Sequence, residues 1–235
     1  MAAAAVVAVA VAAVVAVLLT RPASGQAPGQ PPPRSSDAGR VPARAPGSPA
    51  AGPAAVSTAG WYAVALDGTV VPASRQAGPG KGPWPLAAGF ADSPAGAVLA
   101  AVNIAVRAGG QAGPDIFAAT ISRQVTGPGA AALLDAAWTD YAAASDQHPP
   151  ARPGGPAGTA DVTLRAFRLV SFTAAAAAVE VLAAADTAGG AQVVIRLQVR
   201  WLDGDWRLVA PPGGGFSAAA VPHAVLSGFT LLPGR

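Results

Sequence analysis

Apolar and polar residues divide the chain into three stretches of different character. The first, from Ala2 to Leu19, is continuously apolar and, at about 18 residues, approaches the length of a membrane-spanning helix. The second, residues 21–58, is rich in Pro, Gly and Ala without apolar periodicity, which predicts a disordered spacer. The third, residues 59–235, shows helix and strand periodicities and predicts a globular head.

Three helices are predicted in the first half of the head. The first begins where Ser93 can cap it and Pro94 fits the first turn, and it runs to about Arg107. The second and third are predicted at about 115–125 and 130–145, each bounded by Gly and Pro. The third carries an apolar stripe at helical spacing, formed by Leu134, Trp138 and Tyr141.

Strands are predicted on both sides of these helices. A hairpin with an Asp-Gly turn precedes them, at 61–66 and 69–72. Four strands follow them, at 164–172, 177–184, 193–201 and 206–210, and the tail at 225–232 is a candidate edge strand. Helices and strands are therefore segregated, which predicts an α+β head with three helices packed on a curved antiparallel sheet.

The apolar run has two interpretations. A retained transmembrane helix, residues 1–20, is favoured because no Lys or Arg precedes the run and the run is long for a signal peptide. A signal sequence is the alternative, since Pro22-Ala23-Ser24-Gly25 is a fair cleavage site. We therefore expect a single-pass protein that contacts the membrane through residues 2–19.

The charge distribution argues against nucleic-acid binding by the head. The formal net charge of +3 comes from 15 Lys and Arg against 12 Asp and Glu. Residues 1–50 carry this excess, since they hold Arg21, Arg34, Arg40 and Arg44 with Asp37 as the one acid. The head is formally neutral, whereas nucleic-acid modules present a basic face.

The residue types give no catalytic or metal signature. The chain has no Cys, which excludes disulfides, thiolate metal sites, a Cys nucleophile and a lipid-modified Cys. His148 and His223 have no partner at ligand spacing, and Asp140 and Tyr141 point about 100° apart on a helix. We therefore predict no catalytic residue, no metal and no cofactor.

Candidate binding residues lie on one strand and in one loop. Arg196, Gln198 and Arg200 share the polar face of the strand at 193–201, which suits a protein-binding strip or a solvated face. Trp84 lies between two prolines, where it is an exposed contact or, as we favour, a lid over the core. Glu180 is expected to face solvent, because Val179 and Val181 are expected to face the core.

Three sequence segments carry a resemblance to known families. The segment Trp201-Leu202-Asp203-Gly204-Asp205-Trp206-Arg207-Leu208-Val209 resembles the closing hairpin of nuclear transport factor 2-like (cystatin-like) cone domains. The segments at 89–103 and 121–127, taken with this hairpin, are similar to an uncharacterised membrane-anchored family. Members of that family come from high-GC Gram-positive bacteria and accompany conjugative or integrative elements. The resemblance spans Trp61 to Phe229.

The resemblance implies a function as well as a fold. It implies a non-enzymatic, membrane-anchored scaffold of a conjugation or type IV secretion-like apparatus, whose extracytoplasmic, cone-like head binds other channel proteins. It also allows a homo-oligomer. The alternatives are an exported cell-envelope protein, or a cone-fold binder of a small ligand, unrelated to DNA transfer.

The side of the membrane that the head occupies can be tested directly. The Arg residues after the apolar run would alone favour the cytoplasm, whereas the long spacer and the resemblance favour the outside. We expect a Ser57→Cys variant to react with a membrane-impermeant maleimide in intact cells. The Cys-free parent chain gives the background, and labelling only after lysis would contradict an exported head.

Overall fold

The computed structural model describes residues 55–66, 69–80, 84–158, 162–185, 192–221 and 227–233. Its helices are α1 (Pro94–Ala108), α2 (Pro114–Gln124) and α3 (Ala130–Gln147). Its strands are β1 (Trp61–Leu66), β2 (Thr69–Ser74), β3 (Val125–Thr126), β4 (Val162–Phe172), β5 (Ala176–Ala185), β6 (Gln192–Leu202), β7 (Asp205–Val209) and β8 (Thr230–Leu231).

The predicted membrane helix at residues 2–19 and nearly all of the predicted spacer lie outside the described residues. None of the helices in the described ranges combines the length and the apolar character needed to cross a bilayer.

Strands β3 to β8 form one sheet in the order β3-β7-β6-β5-β4-β8. Its neighbours are antiparallel except β3 and β7, which run parallel over two residues. The α+β class and the three helices are therefore confirmed, and the sheet is antiparallel as expected except at the β3–β7 pair. The exception arises because the chain leaves α2 straight into β3 alongside β7.

Helix α1 has the start and the stop that its sequence predicts. The Ser93 hydroxyl accepts a hydrogen bond from the Gly96 amide at 3.1 Å, Pro94 occupies the first turn, and Gly109 follows the last residue. Its middle turns are buried from every side, with Ala97, Val98, Leu99, Ala100 and Ala101 all at 0% exposure. The helix thus forms the centre of the core, packed against the sheet.

The β1–β2 hairpin is a separate two-stranded ribbon attached to this core. The Asn103 side-chain amide on α1 donates to the Pro72 carbonyl of β2 at 2.8 Å. At the other end, Trp61 stacks on Phe167 of β4 with ring centroids 5.4 Å apart. The ribbon is therefore fixed both to the helical layer and to the sheet.

The β6–β7 hairpin closes the sheet as predicted. Asp203 and Gly204 at its turn both have positive φ, 54° and 80°, as a tight two-residue hairpin turn requires. Trp201 and Trp206 lie opposite each other across the strands, in edge-to-face contact at 5.3 Å.

The buried stripe of α3 lies one residue earlier than the sequence predicts. Leu133 and Ala137 are buried, whereas Trp138 is 47% exposed. Trp138 instead packs edge-to-face on Phe117 of α2 at the rim of the core, with ring centroids 5.0 Å apart.

Gly96 provides a test of this packing. Gly-to-Ala changes inside helices usually stabilise by about 0.5–1 kcal/mol. Here an added Cβ would lie 2.0 Å from the Ala91 carbonyl oxygen, so we expect Gly96→Ala to lower the unfolding free energy by about 1–3 kcal/mol in chemical denaturation. Gly109→Ala is the control, because its Cβ meets nothing closer than 3.5 Å. Unchanged stability in Gly96→Ala would contradict the close approach.

Candidate functional site

The helices pack on one side of the large sheet, and we call the opposite side the outer face. A row of three charged residues crosses this face at paired positions of β4, β5 and β6. Arg168 lies opposite Glu180, and Glu180 lies opposite Arg196. The row brings together two residues that sequence analysis considered separately, Glu180 and Arg196, and adds Arg168, which it did not single out.

Glu180 is held from both sides. Its Oε2 accepts hydrogen bonds from Arg168 Nε at 3.0 Å and Nη2 at 2.5 Å, and its Oε1 accepts from Arg196 Nε at 3.1 Å and Nη2 at 2.5 Å. Only 1% of Glu180 is exposed. Glu180 faces away from the core, as predicted, but the expected exposure to solvent is wrong, because guanidinium groups from both neighbouring strands close over its carboxylate.

Two opposing effects act on the ionisation of Glu180. Burial by itself raises the pKa of this carboxyl, because it disfavours the charged form. The hydrogen bonds and positive charges of Arg196 and Arg168 outweigh burial and hold the pKa of Glu180 below its usual value. Glu180 is thus a carboxylate at neutral pH and part of a fixed charge row.

Arg168 also connects the row to the C-terminal segment. Its Nη1 donates to the Ser227 carbonyl at 2.9 Å, and its guanidinium lies 4.7 Å from the ring centroid of Phe229. The following strand β8 pairs with β4. The predicted edge strand in the tail is therefore present at Thr230–Leu231, while residues 222–226 lie outside the described part.

The predicted binding strip lies on the same outer face. Arg196, Gln198 and Arg200 are all exposed, and they alternate with the buried Leu197 and Val199. Arg196 keeps 48% of its side chain exposed even though it pairs with Glu180. Within the described residues, Gln198 and Arg200 have no side-chain hydrogen bond or ion pair, so both side chains are free to bind.

A groove of about 360 Å³ adjoins the strip. The ladder between β6 and β7 ends at Val199 and Leu208, and the next described contact along that edge is the bridge between Ile195 and Ala220. Between these two contacts, the segment that follows β7 moves away from the edge of β6. The groove has Arg196 and Gln198 on one wall, and its other lining is mostly apolar: Val209, Ala210, Pro211, Pro212 and 218–221.

Trp84 lies elsewhere in the structure and is 67% exposed, so the prediction of a lid over the core is wrong. Trp206 and Phe90 are buried in the core, at 0% and 3% exposure. In the described part of the chain, no hydrogen bond, ion pair or ring contact joins Trp84 to the strip. The structure therefore does not bring the four predicted binding residues together.

The other titratable candidates do not assemble into a centre. Partial burial raises the pKa of Asp140, while Tyr141 turns towards Phe117 with ring centroids 6.2 Å apart. His148 is exposed at the end of α3, and His223 lies outside the described residues. Among the residues described, no three His, Cys, Asp or Glu side chains cluster in a way that could hold a metal ion.

These features define an α+β domain whose sheet has one face covered by helices and one face carrying a charged row, an exposed polar strip and a groove. The chain belongs to the DUF8175 family, a domain of unknown function whose model matches residues 21–231. The match includes the predicted spacer and nearly all of the head. No curated protein and no solved structure matches the chain.

The charged row should give stability a distinct pH dependence. The ionised form of Glu180 is favoured in the folded state, so its contribution is complete above the pKa of the unfolded chain. That contribution is lost as the pH falls through the lower, folded-state pKa. We expect Glu180→Gln to lower the unfolding free energy at pH 7 by about 2–3 kcal/mol, and the difference from the parent to shrink as the pH falls.

Asp115→Asn is the matched control for this measurement. Asp115 pairs with Arg152 at 2.6 Å, but both side chains are about half exposed, so its loss should change stability by less than about 1 kcal/mol. A Glu180→Gln effect of the same small size, or one that does not depend on pH, would contradict the assigned role of the row.

Proposed function

We propose that this protein is a non-enzymatic, membrane-anchored scaffold subunit of a conjugation or type IV secretion-like apparatus. In this proposal residues 2–19 are the anchor, residues 21–58 hold the head away from the membrane, and the extracytoplasmic head has the cone-like fold of such scaffolds. The partners are other channel proteins, which bind the outer face of the sheet.

The observation that carries the binding role is the exposed pair Gln198 and Arg200. Neither side chain is engaged within the described part of the chain, and they stand on a rigid central strand between β5 and β7. Arg is enriched among the residues that dominate protein–protein binding energies. Sites on regular strands are also held more firmly than sites on loops.

The scaffold role rests on the sequence resemblance and on the order of anchor, spacer and head. A Pro-rich spacer acts as a semi-rigid extension that places a head at a distance from a membrane. The DUF8175 match begins at residue 21 and continues to residue 231, so it spans the predicted spacer as well as the head. This supports a role in which the distance from the membrane matters.

Affinity purification of the full-length protein from detergent-solubilised native membranes tests the proposal. We expect secretion-channel proteins, including a secretion ATPase, to co-purify with the parent chain. The double variant Gln198→Ala, Arg200→Ala should retain at least about tenfold less of them, because a central Arg contact is worth 1.4 kcal/mol or more. Arg75→Ala is the matched control, since Arg75 is an exposed Arg on the hairpin side of the head.

Two results would contradict the scaffold role. Recovery of the protein alone would favour an exported envelope protein, and recovery with a bound small molecule would favour a small-ligand binder. Equal recovery of channel proteins by the parent and the double variant would keep the scaffold but place its contacts away from the strip.

A further inference from the structure

The outer face concentrates positive charge although the head as a whole is formally neutral. Four guanidinium groups lie on it, on β4, β6 and β7, and they belong to Arg168, Arg196, Arg200 and Arg207. Glu180 is the one acid within the charged row. These five described side chains carry four positive charges and one negative charge, and the fold, not the composition of the head, groups them on one face.

Arg200 and Arg207 are placed unfavourably for stability. They occupy directly opposite positions on β6 and β7, where like charges destabilise a sheet. Arg207 is partly engaged, because its Nη1 donates to the Arg123 carbonyl at the end of α2. Asp205, two residues before Arg207, bonds the amides of Gly89 and Phe90 instead. An anion bound between Arg200 and Arg207 would relieve the repulsion.

The side chains of the strip have the spacing of alternate residues in an extended chain. Arg196, Gln198 and Arg200 alternate along β6, so neighbouring side chains of the strip are about 6.6 Å apart. Carboxylates at alternate positions of another extended segment have the same repeat. Glu180 holds Nε and Nη2 of Arg196, which fixes the orientation of that guanidinium.

The residue types that line the groove favour a protein ligand over a nucleic-acid ligand. Single-stranded nucleic acids bind through aromatic side chains on which the bases stack. The lining of this groove is Val, Ala, Pro, Leu, Arg and Gln, which offers no stacking surface but accommodates a small apolar side chain. Arg196 belongs both to this lining and to the strip, so the two surfaces are continuous.

From this arrangement we infer that the outer face binds an extended acidic segment of a partner protein. Carboxylates at every second position of that segment face the strip: the first and third pair with Arg196 and Arg200, the second accepts from Gln198, and a small apolar residue enters the groove. The inference rests on the proposed function, because it names the chemistry of the partner at the same face.

The test uses the full-length protein in detergent and a short fluorescein-labelled peptide in which Glu and Thr alternate. We expect this peptide to bind in fluorescence anisotropy, and Arg200→Glu to weaken binding at least tenfold. Arg75→Glu is the control for the change in net charge, and it should alter binding less than twofold.

Three comparisons can overturn the inference. They are equal binding of a peptide with the same composition but all its Glu residues in one block, tighter binding of oligothymidylate, and binding that is indifferent to Arg200→Glu. A thermal melt gives an independent readout. Because Arg200→Glu places opposite charges across β6 and β7, its melting temperature should rise, and a fall would show that the Arg pair is structural.

The peptide test and the purification test separate the two proposals. If the alternating peptide fails to bind while the double variant Gln198→Ala, Arg200→Ala still loses co-purified proteins, the acidic segment is wrong and the scaffold stands. If the peptide binds through Arg200 but no channel protein is recovered, the acidic ligand stands and the scaffold role falls.

Discussion

The end of the β6–β7 hairpin joins the sheet to the helical layer, and the arrangement of the outer face depends on this junction. The Asp205 carboxylate accepts the Gly89 and Phe90 amides at 2.8 and 3.1 Å, and Trp206 Nε1 donates to the Ala91 carbonyl at 2.9 Å. These three residues lead directly into α1. Because Trp206 is fully buried against α1, strand alternation turns Arg207 to the other side of the sheet.

Local signals were enough to predict the class and most elements, but not those formed by distant pairing. Ser93 and Pro94 at one end of α1 and Gly109 at the other act within a few residues, so its bounds follow from sequence. Strand β3 is different, because Val125 and Thr126 are strand only through their pairing with β7, more than 80 residues later in the chain. A local pattern extends α2 through Val125 instead.

The candidate site likewise has some features that local sequence predicts and others that depend on the pairing of distant strands. Alternation along β6 was sufficient to place Gln198 and Arg200 on an exposed face. The burial of Glu180 was not predictable, because it depends on the register that sets Arg168 and Arg196 beside it. A register shift between Leu169 and Ser171 lies between the turn and Arg168, so counting residues from the turn would have paired Glu180 with Leu169. The prediction for Trp84 was wrong as well: Trp84 is exposed, whereas Trp206 from a distant strand is buried in the core.

Glu180 partly neutralises the arginines of the charged row. This neutralisation determines where positive charge remains on the outer face to bind a partner. Glu180 compensates part of the charge of Arg168 and Arg196, and Arg168 is further engaged by the C-terminal segment. The uncompensated charge is therefore concentrated at Arg200 and Arg207. Screening limits such a charge to about 8–10 Å at physiological salt. A neutral head with this local excess is consequently suited to selecting a partner at contact and not to attracting polyanions from a distance.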